Sequence, residues 1–171
     1  FIAANNIKGS RNLIFSIVRY GNVMGSRGSV IPFFLKEVEK GCLPITDNEM
    51  TRFNISLKEG VDYVLWAIEN AIGSEIFVPK IPSYKITDVA EAIGPNCIKK
   101  EVGIRPGEKL HEEMINSNDS ASTIDLGNVY AILPSNNREF INYYLSRNTN
   151  YKKVAEGFSY NSLENKRYLS I

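Results

Sequence analysis

The chain has 171 residues, with 20 lysines and arginines against 19 acids and a formal net charge of +1, which leaves no general attraction for nucleic acid or anionic membranes. Hydrophobic residues at 43% and charged residues at 23% fit a soluble globular protein with one real core, too short for two large domains. There is no apolar run of transmembrane length and no signal-peptide pattern, and Cys42 and Cys97 stand apart without clustered histidines; they read as reduced thiols of a cytoplasmic protein, with no metal site.

The chain opens at Phe1 without an initiator methionine, and Phe1 to Gly9 reads as the end of a helix closed by glycine, as in a fragment. Leu13 to Val18 is an apolar, β-branched run that suits a strand buried on both faces in a parallel sheet. It leads into Arg19-Tyr20-Gly21-Asn22 and a loop with Gly25 and Gly28. Ligands of open α/β sheets bind beyond the carboxyl ends of strands, so this is a candidate binding loop. Its glycine spacing is neither that of a dinucleotide fingerprint nor that of a P-loop.

A helix follows over about Val30 to Lys40, with the stripe Val30, Phe33, Phe34 and Val38, Pro32 in the first turn and Gly41 at the end. Leu43-Pro44-Ile45 is extended, and Thr51 to Ile55 is a strand with Phe53 and Ile55 on one side and Arg52 on the other. Ser56 and Glu59 form a capping box for a helix whose buried stripe is Val61, Val64, Leu65, Ile68 and Ile72, with Tyr63 and Trp66 as packing residues. Glu75 to Val78 is a strand, Thr87 caps a helix ending at Gly94-Pro95, and Ile98 to Val102 is a further strand. His111, the single histidine, has no companion at a useful spacing and reads as structural or surface-placed. Val129 to Leu133 is a strand, and the polar, Asn- and Tyr-rich remainder shows no helical periodicity.

Arg105-Pro106-Gly107-Glu108 sets an arginine and a carboxylate across a Pro-Gly turn, before what reads as a helix through Met114. A guanidinium so held binds phosphate, and the acid accepts hydrogen bonds from sugar hydroxyls. A helix start with Arg105 solvated is the alternative that this stretch alone leaves open.

Five stretches in order, Arg19 to Phe34, Pro44 to Asp47, Met50 to Phe53, Glu75 to Lys80 and Arg105 to Met114, resemble the carboxyl-terminal half of the UDP-N-acetylglucosamine 4,6-dehydratases. These are extended short-chain dehydrogenase/reductase proteins of the polysaccharide-biosynthesis group. The resemblance covers essentially the whole chain, and Glu156 to Tyr160 is similar to the family's tail. It implies an α/β fold: the end of a Rossmann-type parallel sheet in residues 1–28, a UDP-sugar-binding lobe over 29–115 with segments returning to the sheet, and a carboxyl-terminal arm over 116–171. It also implies NADP as cofactor, UDP-N-acetylglucosamine or a related UDP-sugar as substrate, and a homo-oligomer at full length. The reaction implied oxidises C4, eliminates water across C5 and C6 and returns the hydride to C6, with C5 inverted, towards pseudaminic acid or related glycans.

By matching positions, Tyr20 and Gly21 would lie at the nicotinamide and Asn22 would bond the pyrophosphate. Ser29 and Val30 would offer backbone N–H groups at a helix amino terminus, Leu43 and Ile45 would meet uracil through backbone groups and apolar contact, Arg52 and Arg105 would clamp the pyrophosphate, and Glu108 would bind ribose. The resemblance places the catalytic residues, with the Tyr-x-x-x-Lys pair, upstream of Phe1. Asn54 departs from the pattern, which more often has a large aromatic there. A nucleotide-sugar 4-epimerase of the same superfamily and a non-catalytic UDP-sugar-binding remnant are the competing readings.

Overall fold

The computed structural model describes residues 2–170. In chain order its elements are α1 (Ala4–Ile7), β1 (Ile17–Val18), β2 (Asn22–Val23), α2 (Val30–Glu37), β3 (Cys42–Ile45), β4 (Thr51–Ile55) and α3 (Leu57–Asn70). Then come β5 (Ile76–Pro79), β6 (Ser83–Lys85), α4 (Ile86–Ile93), β7 (Ile98–Glu101), β8 (Glu113–Ile115), β9 (Thr123–Asp125), β10 (Val129–Ile132), α5 (Arg138–Arg147), β11 (Lys152–Lys153) and β12 (Tyr160–Asn161). The chain crosses repeatedly between two compact units. One holds Phe1–Tyr20, Val61–Lys80 and Met114–Ser159; the other holds Gly21–Gly60, Ile81–Glu113 and Tyr160–Ile171.

The first unit is built on a mixed sheet in the order β1-β5-β10-β9-β11. Only β1 and β5 run parallel, with Ile17 opposite Ile76 and Val18 opposite Phe77; the other pairs are antiparallel. The long buried strand expected over Leu13 to Val18 contracts to two paired residues, and Leu13 and Ile14 are exposed. As one of the two edge strands of this sheet among the described residues, β1 has a neighbour on one side alone. The expected helix end is the single turn α1, with Gly9 left-handed at φ 61°; Phe1 itself lies outside the described residues.

The α3 stripe is a correction. Val61, Val64, Leu65 and Ile68 are exposed, and the buried face is instead Ala67 flanked by Tyr63 and Trp66. Trp66 stands edge-on to Phe77 at 5.1 Å and stacks on Tyr63 at 5.6 Å. The helix face turned to the sheet is the one whose Trp66 ring meets Phe77. The tail also holds a helix that the sequence reading did not anticipate. Asn137 caps α5 by accepting the Phe140 N–H at 2.9 Å, and Tyr144 enters the core beside Phe140, Ile141 and Leu145.

In the second unit β4 lies between β2, to which it is parallel, and antiparallel β6; β3 and β7 form a separate parallel pair. The core between α2, α4 and these strands contains Phe34, Leu43, Ile45, Met50, Tyr84, Ile86 and Ala90. The helix expected over Val30 to Lys40 is α2 continued by a 3-10 turn, Val38–Lys40, and closed by Gly41 at φ 70°. The capping box forms: the Glu59 carboxylate accepts the Ser56 N–H at 2.8 Å, and Ser56 Oγ accepts the Glu59 N–H at 3.2 Å. Thr87 is not a cap, because α4 starts one residue before it.

Candidate functional site

The second unit contains a cavity of about 550 Å³, within the usual range for small-molecule sites. Strand alternation builds its floor. Along β4, Thr51, Phe53 and Ile55 are buried on one side, while Arg52 and Asn54 face the cavity. Asn22 of β2 lies opposite Asn54, and Tyr84 of β6 lies opposite Arg52. The first turn of α2, with Ser29 and Val30, forms one wall together with Phe33 and Lys36; Pro44, Thr46, Arg105 and Glu108 also line the space.

The Pro-Gly turn forms as its residues dictate. The Glu108 N–H donates to the Arg105 carbonyl at 3.0 Å, and Gly107 takes φ 81°. The helix expected after it is absent. Instead Leu110 and Glu112 run beside β4: the Thr51 N–H donates to the Leu110 carbonyl at 3.2 Å, and the Phe53 N–H donates to Glu112 Oε2 at 2.8 Å. Backbone groups engaged across to a strand are lost to a helix. His111 Nδ1 lies 2.8 Å from Thr51 Oγ1, which also meets Ser162 Oγ at 2.7 Å, a structural tie of the kind expected for it.

Arg52 and Arg105 differ in their commitments. Arg52 Nη1 donates to the Thr51 and Leu110 carbonyls at 2.8 and 3.0 Å. Its Nη2 lies 3.5 Å from Glu108 and its Nε 3.8 Å from Glu112. Its side chain is 11% exposed, so most of its donors are spent within the protein. Glu112, which the sequence reading gave no role, is the acid that fixes it. Burial pushes the Glu112 carboxyl above its ordinary value, against the Phe53 N–H, Arg52 and Asn22, which favour the anion. No spacing signal marks Glu112, because its role depends on the irregular run beside β4. The Arg105 guanidinium, by contrast, is exposed and forms no ion pair among the described residues; Lys36 is likewise unpaired at the same cavity.

Ser29 sits at the start of α2 with its Oγ buried and without a hydrogen-bond partner, and makes no side-chain cap. The Val30 and Ile31 N–H groups have no partner within the helix, and Pro32 has none to offer. A helix amino terminus with a spare hydroxyl and two free cations nearby can hold an anion such as a phosphate.

Asn22, Ser29, Val30, Arg52, Arg105 and Glu108 thus line one space. Leu43 and Ile45 do not: their side chains are 0% and 1% exposed in the core, which removes the expected apolar contact with a base. The neighbours Pro44 and Thr46 line the cavity instead. Alternation along β3, where Cys42 and Pro44 are half-buried, turns Leu43 and Ile45 inward together. Gly21 also has a packing reason. A Cβ there would overlap Phe53 Cβ and come within 3.2 Å of the Phe53 carbonyl carbon. Tyr20 emerges exposed after Arg19, whose N–H donates to the Phe77 carbonyl at 2.8 Å at the end of the β1–β5 pair.

Among the described residues no group of His, Cys, Asp and Glu is placed to hold a metal ion, and no helix is long and apolar enough to cross a membrane. The sequence model of the family described as "Polysaccharide biosynthesis protein" matches residues 1–134. The chain belongs to that polysaccharide biosynthesis family. The inverting UDP-N-acetylglucosamine 4,6-dehydratase of Campylobacter jejuni is 52% identical over 99% of this chain and 52% of its own length. The UDP-glucose 4-epimerase of Rickettsia prowazekii is 40% identical over 97% of this chain and 50% of its own. The chain therefore spans about half the length of these curated relatives.

Among solved structures, Pen from Bacillus thuringiensis superposes with a TM-score of 0.81 at 31% identity, over 96% of this chain and 50% of that one. TunA, an NAD-dependent NDP-hexosamine 5,6-dehydratase of tunicamycin biosynthesis, superposes at a TM-score of 0.50 and 22% identity over 62% of this chain and 38% of that one, which speaks to fold alone. The family member described here thus has the α/β fold of the extended short-chain dehydrogenase/reductase group.

Proposed function

We propose that this chain supplies the UDP-sugar-binding part of an inverting UDP-N-acetylglucosamine 4,6-dehydratase. The observation that carries the proposal is the convergence of Asn22, Ser29, Val30, Arg105 and Glu108 on one cavity. The unspent cations Arg105 and Lys36 and the α2 amino terminus with its partnerless Ser29 Oγ suit the diphosphate. Arg52 serves chiefly as a tie between β4 and the Arg105 turn, with its positive field still on the cavity. The Glu108 carboxylate, held by Arg52, accepts from ribose hydroxyls, and Pro44 and Thr46 flank the base. In this reading Gly21–Gly60 and Ile81–Glu113 form the substrate lobe.

NADP, if bound, supplies the hydride acceptor and donor for C4 and C6. Tyr20, exposed beyond the carboxyl end of β1, fits a place against the nicotinamide, whereas the missing side chain of Gly21 is accounted for by Phe53. No tyrosine in this sequence is followed four residues later by lysine, so none of its residues is assigned the hydride-step acid–base role. A cytoplasmic, homo-oligomeric enzyme on a route to pseudaminic acid or a related glycan completes the proposal.

Incubation of the full-length protein with UDP-N-acetylglucosamine and NADP tests it by mass spectrometry of the sugar. Loss of one water mass is the expected result. The Rickettsia relative makes 4-epimerisation the second reading, and an unchanged mass with a new diastereomer would establish it instead.

A further inference from the structure

Asn54 is 5% exposed, lies on the central strand of the three-stranded sheet and borders the cavity. Its backbone N–H donates to the Pro82 carbonyl at 2.8 Å, while its carboxamide makes no hydrogen bond among the described residues and borders the cavity. The amide is thus unspent and open to the cavity rather than sealed in the core. Nothing about β4 demands a polar group there: Thr51, Phe53 and Ile55 hold the strand on its other face. The amide is therefore in place for something that enters the cavity.

Its position indicates what. Arg52, two residues earlier on the same face, is joined to the Glu108 end of the cavity. Asn54 lies about 6.5–7 Å further along the strand, opposite Asn22 in the parallel β2 register. An amide both donates and accepts and carries no charge, so it matches a hydroxyl or an acetamido group better than a phosphate.

We infer that Asn54 is a specificity-determining residue, whose carboxamide hydrogen-bonds a neutral donor–acceptor substituent on the hexosyl moiety of the nucleotide sugar. The inference rests on the nucleotide-sugar reading of the cavity and assigns its non-nucleoside end to Asn54 rather than to the arginines.

The test uses the full-length protein, with dissociation constants measured by calorimetry for UDP, UDP-glucose and UDP-N-acetylglucosamine. Asn54→Leu should weaken UDP-N-acetylglucosamine by about tenfold while leaving UDP unchanged. It should not lower Tm, since the amide gives up no hydrogen bond within the protein and the replacement is of similar size. A loss confined to UDP-N-acetylglucosamine identifies the acetamido group as the partner; an equal loss for both sugars identifies a ring hydroxyl. Either supports the inference. Equal weakening of UDP and UDP-sugars, or no weakening, overturns it while leaving the cavity assignment standing. Wild-type protein that binds none of the three overturns that assignment, and the inference with it. Where Asn54→Leu fails to fold, Asn54→Ala is read against the same outcomes.

Discussion

The Arg52 guanidinium lies 3.5 Å from the Glu108 carboxylate, so a cation and an acid that the family resemblance assigns to separate parts of a ligand hold one another. This pair ties the Arg105 turn to β4, and with Glu112 on its other edge Arg52 becomes a framework residue. Arg105, three residues before Glu108, is left unpaired to meet a ligand.

The two arginines should therefore respond differently to removal. Arg52→Met leaves the half-buried Glu112 without its cation, and breaking a fully buried pair costs about 3–5 kcal/mol. Arg52 retains some exposure, so the lower end is expected in urea unfolding. Arg105→Ala should shift stability by less than about 0.5 kcal/mol but weaken UDP-sugar binding roughly ten- to a hundredfold.

Gly21→Ala should destabilise the protein by about 1–3 kcal/mol through overpacking against Phe53. The measurement is the urea midpoint. A neutral result would mean that β2 shifts away from β4 without cost.

On α3, Leu65→Gln and Ile68→Gln should each change stability by less than about 0.5 kcal/mol, because both side chains are exposed. Trp66→Ala, which removes the ring packed on Phe77 and Tyr63, should cost about 3 kcal/mol. Comparing the three variants by thermal unfolding checks which face of the helix is the buried one.

Glu75 gives a pH signature. It is fully buried, with its carboxylate accepting the Ile72 and Gly73 N–H groups at 2.8 Å each, and burial outweighs these bonds to push its pKa above the ordinary value. A carboxyl with a raised folded pKa contributes stability that is fully present below the unfolded value of about 4.3 and is lost as pH rises through the folded value. Unfolding free energies measured at a series of pH values upward from about 4.3 should fall more for wild type than for Glu75→Gln. Parallel curves would contradict this account of Glu75.

Much of the fold is legible in local chemistry. The capping box at Ser56, Gly41 closing the helix after α2, the Pro-Gly turn at Arg105 and strands β3, β4, β5, β7 and β10 all follow from residues acting on near neighbours. What was not legible depends on distant partners. The α3 face was decided by Phe77, and the helix after Glu108 was displaced by backbone bonds to β4. Glu112 acquired a role through Arg52 and Phe53, and Leu43 and Ile45 turned inward because β3 packs on α2 and α4. Helix α5 escaped notice because its apolar stripe is carried largely by Tyr144 and Phe140 in a polar stretch.

The central claim is that the cavity lined by Asn22, Ser29, Arg105 and Glu108 binds a UDP-sugar. Calorimetric titration of the full-length wild-type protein and Arg105→Ala with UDP-N-acetylglucosamine tests it most directly. Saturable one-site binding by wild type, weakened ten- to a hundredfold in the variant at unchanged Tm, is the predicted result. Equal affinity in the two proteins would contradict the claim.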